Sequence, residues 1–171
     1  MTKTPPSEEL LGLLRQMDPH EFEKLVAELW RQLGYSATVR QRSRDRGIDV
    51  IATRESPVKE KHVIQAKRYA EDNKIGSQEV RNYATLYQQV TDADKVILVT
   101  TSELTTEARR LAKDLNVQFM SGEELCDKIR ESGTDVEKYL PIGENQPSQT
   151  TSTQSLSDQS DSKKEEASSG S

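Results

Sequence analysis

The chain contains one cysteine, Cys126, and two histidines, His20 and His62. A single thiol excludes an internal disulfide framework and a cysteine-cluster zinc site, and fits a reducing compartment. Two imidazoles are too few for a histidine-rich metal centre. No stretch approaches the roughly 18 apolar residues of a membrane span, and the opening MTKTPPSEEL lacks the apolar core of a signal peptide. The expectation is a soluble, cytoplasmic protein with no membrane partner. Walker loops, dinucleotide-binding glycine fingerprints and G-x-S-x-G elbows are absent, so nucleotide hydrolysis, dehydrogenase and α/β-hydrolase chemistry lack support.

Apolar residues are also scarce, at 32% of 171 positions against 31% charged. Such a chain folds only if its apolar side chains are concentrated. They are. From Ile142 onward, 30 residues hold 9 Ser, 3 Thr and 4 Gln, with Ile142, Leu156 and Ala167 as the only aliphatic side chains. This divides the chain into an N-terminal extension over 1–17, with room for a short helix, one folded domain over 18–141, and a disordered Ser/Thr/Gln-rich tail over 142–171. The domain is long enough for a real core.

Asp18-Pro19-His20-Glu21 reads as a helix start, with Asp as N-cap, Pro at the first helical position and Glu closing a capping box. Phe22, Leu25, Val26, Leu29, Trp30 and Leu33 follow on one helical stripe, which Gly34 ends. Short β-rich runs come next, at Tyr35–Gln41, Ile48–Thr53 and His62–Lys67, with Ser56-Pro57 turning the chain between the last two. A helix over Ser77–Val90, an apolar strand Lys95–Thr101, a helix Thr106–Leu115, a strand Val117–Met120 and a helix Glu123–Arg130 complete the order α-β-β-β-α-β-α-β-α. That order predicts an α/β fold whose mixed β-sheet, antiparallel first and parallel later, is flanked by helices.

Asp49 interrupts the apolar run Ile48-Asp49-Val50-Ile51. A carboxylate inside a strand is costly unless it is paired, bound to a metal or at an open sheet edge. Gln65 and Lys67, two residues apart in the next strand, emerge on one face, and folding back near Pro57 brings them alongside Asp49. The competing reading is a structural Asp–Lys pair. On the first helix Glu23 stands about 100° from Phe22, bordering the buried face; packing of its stem on Trp30 is the alternative to a role in chemistry.

Context favours chemistry. Arg46-Gly-Ile-Asp-Val-Ile-Ala52, Val63-Ile-Gln-Ala-Lys-Arg-Tyr69, Ile75-Gly76, Val80-Arg81 and Val99-Thr-Thr-Ser102 occur in series, after Phe22-Glu23 and Leu33-Gly34-Tyr35. The series resembles the Mrr-type catalytic domain of the PD-(D/E)XK, or restriction-endonuclease-like, nuclease superfamily, in the branch with Gln at the variable acidic position. The resemblance covers about Asp18 to Leu125. It implies a restriction-endonuclease-like core and four catalytic residues. Asp49 matches the metal-binding Asp, Gln65 the usual second acid, Lys67 the motif lysine and Glu23 the first-helix acid. It further implies Mg²⁺, with Mn²⁺ able to substitute, held by Asp49, Gln65 and the backbone carbonyl of Ala66, with Glu23 acting through a water. Ala66 stands where Cys is common. Of the family's glycine-rich approach to the catalytic Asp, only Asp45 and Gly47 remain.

The implied activity is endonucleolytic hydrolysis of DNA, in restriction of foreign or modified DNA; repair or junction cleavage, or DNA binding without turnover, are the alternatives. A net charge of −5 attracts no polyanion globally. Residues 40–81, however, carry 11 basic and 7 acidic side chains. Arg42, Arg44, Arg46, Arg68 and Arg81 are the expected DNA contacts. Single active sites cut both strands only in pairs, so a homodimer on DNA is expected, together with a separate specificity subunit or recognition by loops. Cys126 is read as a core residue, and Thr100-Thr101-Ser102 as a helix cap.

Overall fold

The structure, a computed structural model, describes residues 5–41, 47–89 and 92–141, and of residues 86–89 only the backbone. Helix α1 spans Ser7–Gln16 and buries Leu10 and Leu14, with Met17 behind them, so the extension packs into the core. Helix α2 (Pro19–Gln32) starts where the sequence signals it, Asp18 accepting from the amides of His20 and Glu21 at 2.9 and 3.3 Å. Glu21 does not close a capping box. Its carboxylate takes the ammonium of Lys24 at 2.7 Å instead. The stripe Phe22, Leu25, Val26, Leu29 and Trp30 is buried, whereas Leu33, past the last turn, is exposed.

Five strands follow in spatial order β1-β2-β3-β4-β5: β1 Ser36–Val39, β2 Val50–Arg54, β3 Glu60–Lys67, β4 Lys95–Thr100 and β5 Gln118–Met120. The first three are antiparallel and the last two join in parallel. The β2–β3 register, Val50 opposite Ile64 and Arg54 opposite Glu60, centres on Pro57 as expected. Helices α3 (Ser77–Gln89), α4 (Thr106–Asp114) and α5 (Gly122–Ser132), then a 3₁₀ turn at Glu137–Tyr139, complete the fold.

Alternation along the strands divides the core. Val50, Ala52, Ile64, Ala66, Ile97 and Val99 face α1, α2 and α5, with Cys126 buried among them. Leu98 faces α3 and α4, meeting Val80, Tyr83, Leu104 and Ala108. The α4 cap is Thr105, whose hydroxyl accepts from Ala108 N, and not the Thr100–Ser102 run. Those three hydroxyl residues are buried, and two of them bind the segment after β3: Thr101 Oγ1 accepts from Tyr69 N at 2.8 Å and donates to Tyr69 O at 2.9 Å, and Ser102 Oγ donates to Asn73 O. The α5 start is equally tight. A Cβ on Gly122 would stand 2.6 Å from the carbonyl oxygen of Thr101, so only glycine fits.

The arginine alternation at 42, 44 and 46, Val90 and the tail from Ile142 lie outside the described residues. Among the described residues no helix is long and apolar enough to cross a membrane.

Candidate active site

Strand β3 outlasts its pairing with β2. The ladder between them ends at Val50 opposite Ile64, yet β3 continues through Gln65, Ala66 and Lys67, paired with Leu98, Val99 and Thr100 of β4. Where the two strands part, Asp49 takes over. Its amide donates to Ile64 O at 3.0 Å, and its Oδ2 accepts from Ala66 N at 2.8 Å, so a side chain replaces a backbone acceptor in the ladder. The strand end is thus open and edged by a carboxylate.

Gln65 is buried, at 8% exposure, and its Oε1 has no hydrogen-bond partner among the described residues. A buried polar atom left so costs about 1–3 kcal/mol. Gly47 makes room for this carboxamide: its φ is +85°, and a Cβ there would lie 2.8 Å from Gln65 Nε2. The side chain of Lys67, two residues on and half-buried, makes no hydrogen bond or ion pair among the described residues. Because Lys67 O accepts from Thr101 N on the β4 side, at 3.4 Å, the Ala66 backbone turns the opposite way. Its carbonyl therefore shares the side on which Ala66 N meets Asp49. The structure brings Asp49, Gln65, Ala66 and Lys67 together at one strand end.

Glu23 is held differently. It is buried on α2, at 7% exposure, with its carboxylate 3.0 Å from His20 Nδ1. Helix α2 packs on the sheet face opposite Gln65 and Lys67, and among the described residues no three His, Cys, Asp or Glu converge as a metal cluster. Arg68 is half-buried and donates through Nη1 to Arg15 O at 2.6 Å. Arg81 is exposed on α3.

On the α3 side sits a pair, Tyr69 and Glu79. Tyr69 OH donates to Glu79 Oε1 at 3.2 Å, and Glu79 Oε2 accepts from Gly76 N at 2.6 Å, closing the start of α3. Beside them Tyr83 is buried. Its hydroxyl is pushed well above the usual range by burial first, then by Tyr69, with Asp49 contributing. The signal for Glu79 was its place three residues after Gly76, at the start of a helix; nothing local marked its bond to Tyr69.

The other end of β3 carries a second polar group, which the sequence did not announce. Glu60 binds Tyr35 OH (2.9 Å), Arg54 Nη2 (2.6 Å) and Lys95 Nζ (3.1 Å), and Arg54 also stacks over the Tyr35 ring. Lys95, then Tyr35 and His62, hold its carboxyl at about 2. Trp30 Nε1 donates to His62 Nδ1 at 3.0 Å, placing the imidazole proton on Nε2. That atom lies 3.3 Å from Glu60 Oε1, without the alignment of a hydrogen bond. Burial lowers the His62 pKa despite Glu60. A cleft of about 460 Å³ lies elsewhere, between α1 and the start of α5, and contains none of the four candidate catalytic side chains.

Comparison with known proteins follows the same outline. Residues 14–129 match the restriction endonuclease family model Mrr_cat. The type IV methyl-directed restriction enzyme EcoKMrr of Escherichia coli K12 is 30% identical over 141 residues, covering 78% of this chain and 45% of that protein. The chain thus spans less than half of that relative. Among solved structures, the DNA modification-dependent restriction endonuclease AspBHI superposes with a TM-score of 0.60 at 23% identity, over 78% of this chain and 37% of the other. The MspJI restriction endonuclease, solved with a 27-mer oligonucleotide, gives 0.54 at 18% identity, over 77% and 32%. These likenesses carry the fold. With the family match extending over α2, the open strand end and α5, the chain belongs to the Mrr-type restriction-endonuclease family, with its PD-(D/E)XK-like mixed α/β core.

Proposed function

We propose that the chain is a Mg²⁺-dependent DNA endonuclease that hydrolyses phosphodiester bonds at the open end of β3, in restriction of foreign or modified DNA. One observation carries this reading: the buried carboxamide oxygen of Gln65, without a partner among the described residues, stands beside the Asp49 carboxylate, with Lys67 on the same face. The modified-DNA part rests on the relatives, one methyl-directed and one modification-dependent.

The donors suit a hard cation. Asp49 would hold it directly, with the neutral oxygens of Gln65 and Ala66 beside it and Glu23 at most through a water. Oxygen donors with little charge match Mg²⁺, which keeps several of its own waters, and Mn²⁺ substitutes. When bound, the ion polarises the scissile phosphate and acidifies a coordinated water. Lys67 orients the attacking water and offsets the negative charge developing on the phosphoryl oxygens. The basic stretch around Asp49, with Arg42, Arg44, Arg46 and Arg81, draws in the DNA backbone. Two copies on DNA supply the second strand's cut, and selection of target sequence falls to loops or a separate subunit.

Supercoiled plasmid with Mg²⁺ or Mn²⁺ is the test. Asp49→Ala and Lys67→Ala should each slow nicking by roughly 100-fold or more, the scale of losing one charge-stabilising group. Cleavage undiminished in both variants removes the assigned site. Salt-sensitive binding with no cutting by the unaltered chain makes it a DNA-binding module instead.

A further inference from the structure

Arg68 follows the motif lysine and carries positive charge, so sequence alone makes it a DNA contact. Its bond to helix α1 gives it a different role. We propose that Arg68 is a positioning residue that braces Lys67 against that helix. This rests on the nuclease reading of the open strand end.

Residues next to each other along a strand point to opposite sides. Lys67 shares the Gln65 face, and Arg68 turns to the α1 side, where its Nη1 meets Arg15 O at 2.6 Å. The last carbonyls of a helix lack intrahelical donors and sit at the negative end of its dipole, so a guanidinium there makes a charge-assisted bond. Arg68 Nε is buried, with no partner among the described residues, and this burial together with the Nη1 bond keeps the guanidinium from swinging freely. With Nη1 committed to α1, only the other N–H groups of the fork are left for a phosphate.

Helix α1 is a firm support. Leu10, Leu14 and Met17 are at 0–1% exposure, and Arg130 Nη1 donates to Ser7 Oγ at 2.7 Å, tying its first turn to α5. The residues around Lys67 are held on other sides too. Thr101 binds Lys67 O and both backbone groups of Tyr69, and Glu79 takes the Tyr69 hydroxyl. Arg68 supplies a half-buried anchor to α1, beside the more exposed Arg15–Glu71 ion pair at 3.6 Å. A lysine ammonium on four flexible carbons contributes to a transition state only if its backbone is fixed, since small misplacements cost large factors in rate.

The test uses the full chain with Arg68→Ala and Arg68→Lys, checked for folding by thermal unfolding. Hydrogen exchange of residues 66–70 should rise in Arg68→Ala, and Arg68→Lys, which still donates to a carbonyl, should recover most of the protection. On plasmid DNA, kcat should fall at least tenfold in Arg68→Ala, while the dissociation constant for duplex and its salt dependence stay unchanged. Unaltered exchange overturns the brace whatever happens to the rate, and raised exchange with an unaltered kcat overturns its link to Lys67. A salt slope reduced by about 0.9, the value of one phosphate contact, returns Arg68 to the DNA interface. If the unaltered chain binds DNA and never cuts, the nuclease reading fails alone, and the exchange comparison still decides the brace.

Discussion

Glu60, at the first residue of β3, holds Tyr35, Arg54, His62 and Lys95, whereas Lys67, at the last, holds nothing among the described residues. Gln65, buried close to that end, likewise leaves its Oε1 without a partner. Among the described residues, the Glu60 carboxylate at the first end is fully engaged, although Arg54 Nε and His62 Nε2 make no hydrogen bond; at the last end the Lys67 ammonium and Gln65 Oε1 are unengaged. Satisfied groups lower the free energy of the fold, while a buried amide oxygen without a donor raises it and is tolerated where something outside the chain completes it. Charge density alone does not distinguish the two ends. The pairing of the charged side chain at each end does.

The largest expected effect on this contrast is at the Glu60 end. Trp30→Phe removes the donor to His62 Nδ1 and strands a buried imidazole nitrogen, which should cost about 1–3 kcal/mol of stability. Denaturant unfolding measures it, and plasmid cleavage of the folded variant should be unaffected. A Trp30→Phe protein as stable as its parent would mean that the ring packs by shape alone.

Acid should weaken the same end in two windows. His62 has its pKa lowered by burial, so the unfolded chain binds that proton first, and its share of stability is lost as pH falls below 6.5. Glu60, held at about 2 against 4.5 unfolded, contributes fully above 4.5 and loses its contribution as pH drops towards 2. Glu60→Gln should flatten the lower window of a thermal-stability profile and deepen the upper one, because Glu60 partly offsets the burial that lowers the His62 pKa. An unchanged profile below pH 4.5 would separate Glu60 from acid unfolding.

The smallest effect belongs to the open end. Gln65→Glu adds one negative charge beside Asp49 and should tighten Mg²⁺ or Mn²⁺ by a few-fold, about 1 kcal/mol, the fold being kept. Titration calorimetry reads this directly. Weaker binding would mean that the carboxamide does not face the ion.

Much of the fold and of the open strand end is legible in the sequence. Asp49 stands out because a charge in an apolar strand needs a reason, and Pro57 sets the register that brings Gln65 beside it, since antiparallel pairing propagates from its turn. Gly47 is visible as a surviving glycine, though not as the residue that leaves space for Gln65. What local patterns miss is made by contacts distant in sequence. Arg68 reaches back 53 residues to Arg15, and no local pattern records that. Glu60, which lies ahead of the expected strand His62–Lys67, carries no local signal because its partners come from three other strand regions. Glu21 and the Thr100–Ser102 run carry correct capping chemistry at positions where a nearby competitor wins: Lys24 for the first, Thr105 for the helix that the second was expected to cap.

Asp49 serves two purposes with one side chain. By accepting from Ala66 N it stands in for a missing carbonyl at the fork between two strands, so removing it disturbs the carpentry as well as the charge. An alanine at this position confounds the two. Asparagine keeps an oxygen of the same reach for the amide while discarding the negative charge, and is thus the replacement that isolates electrostatics from architecture.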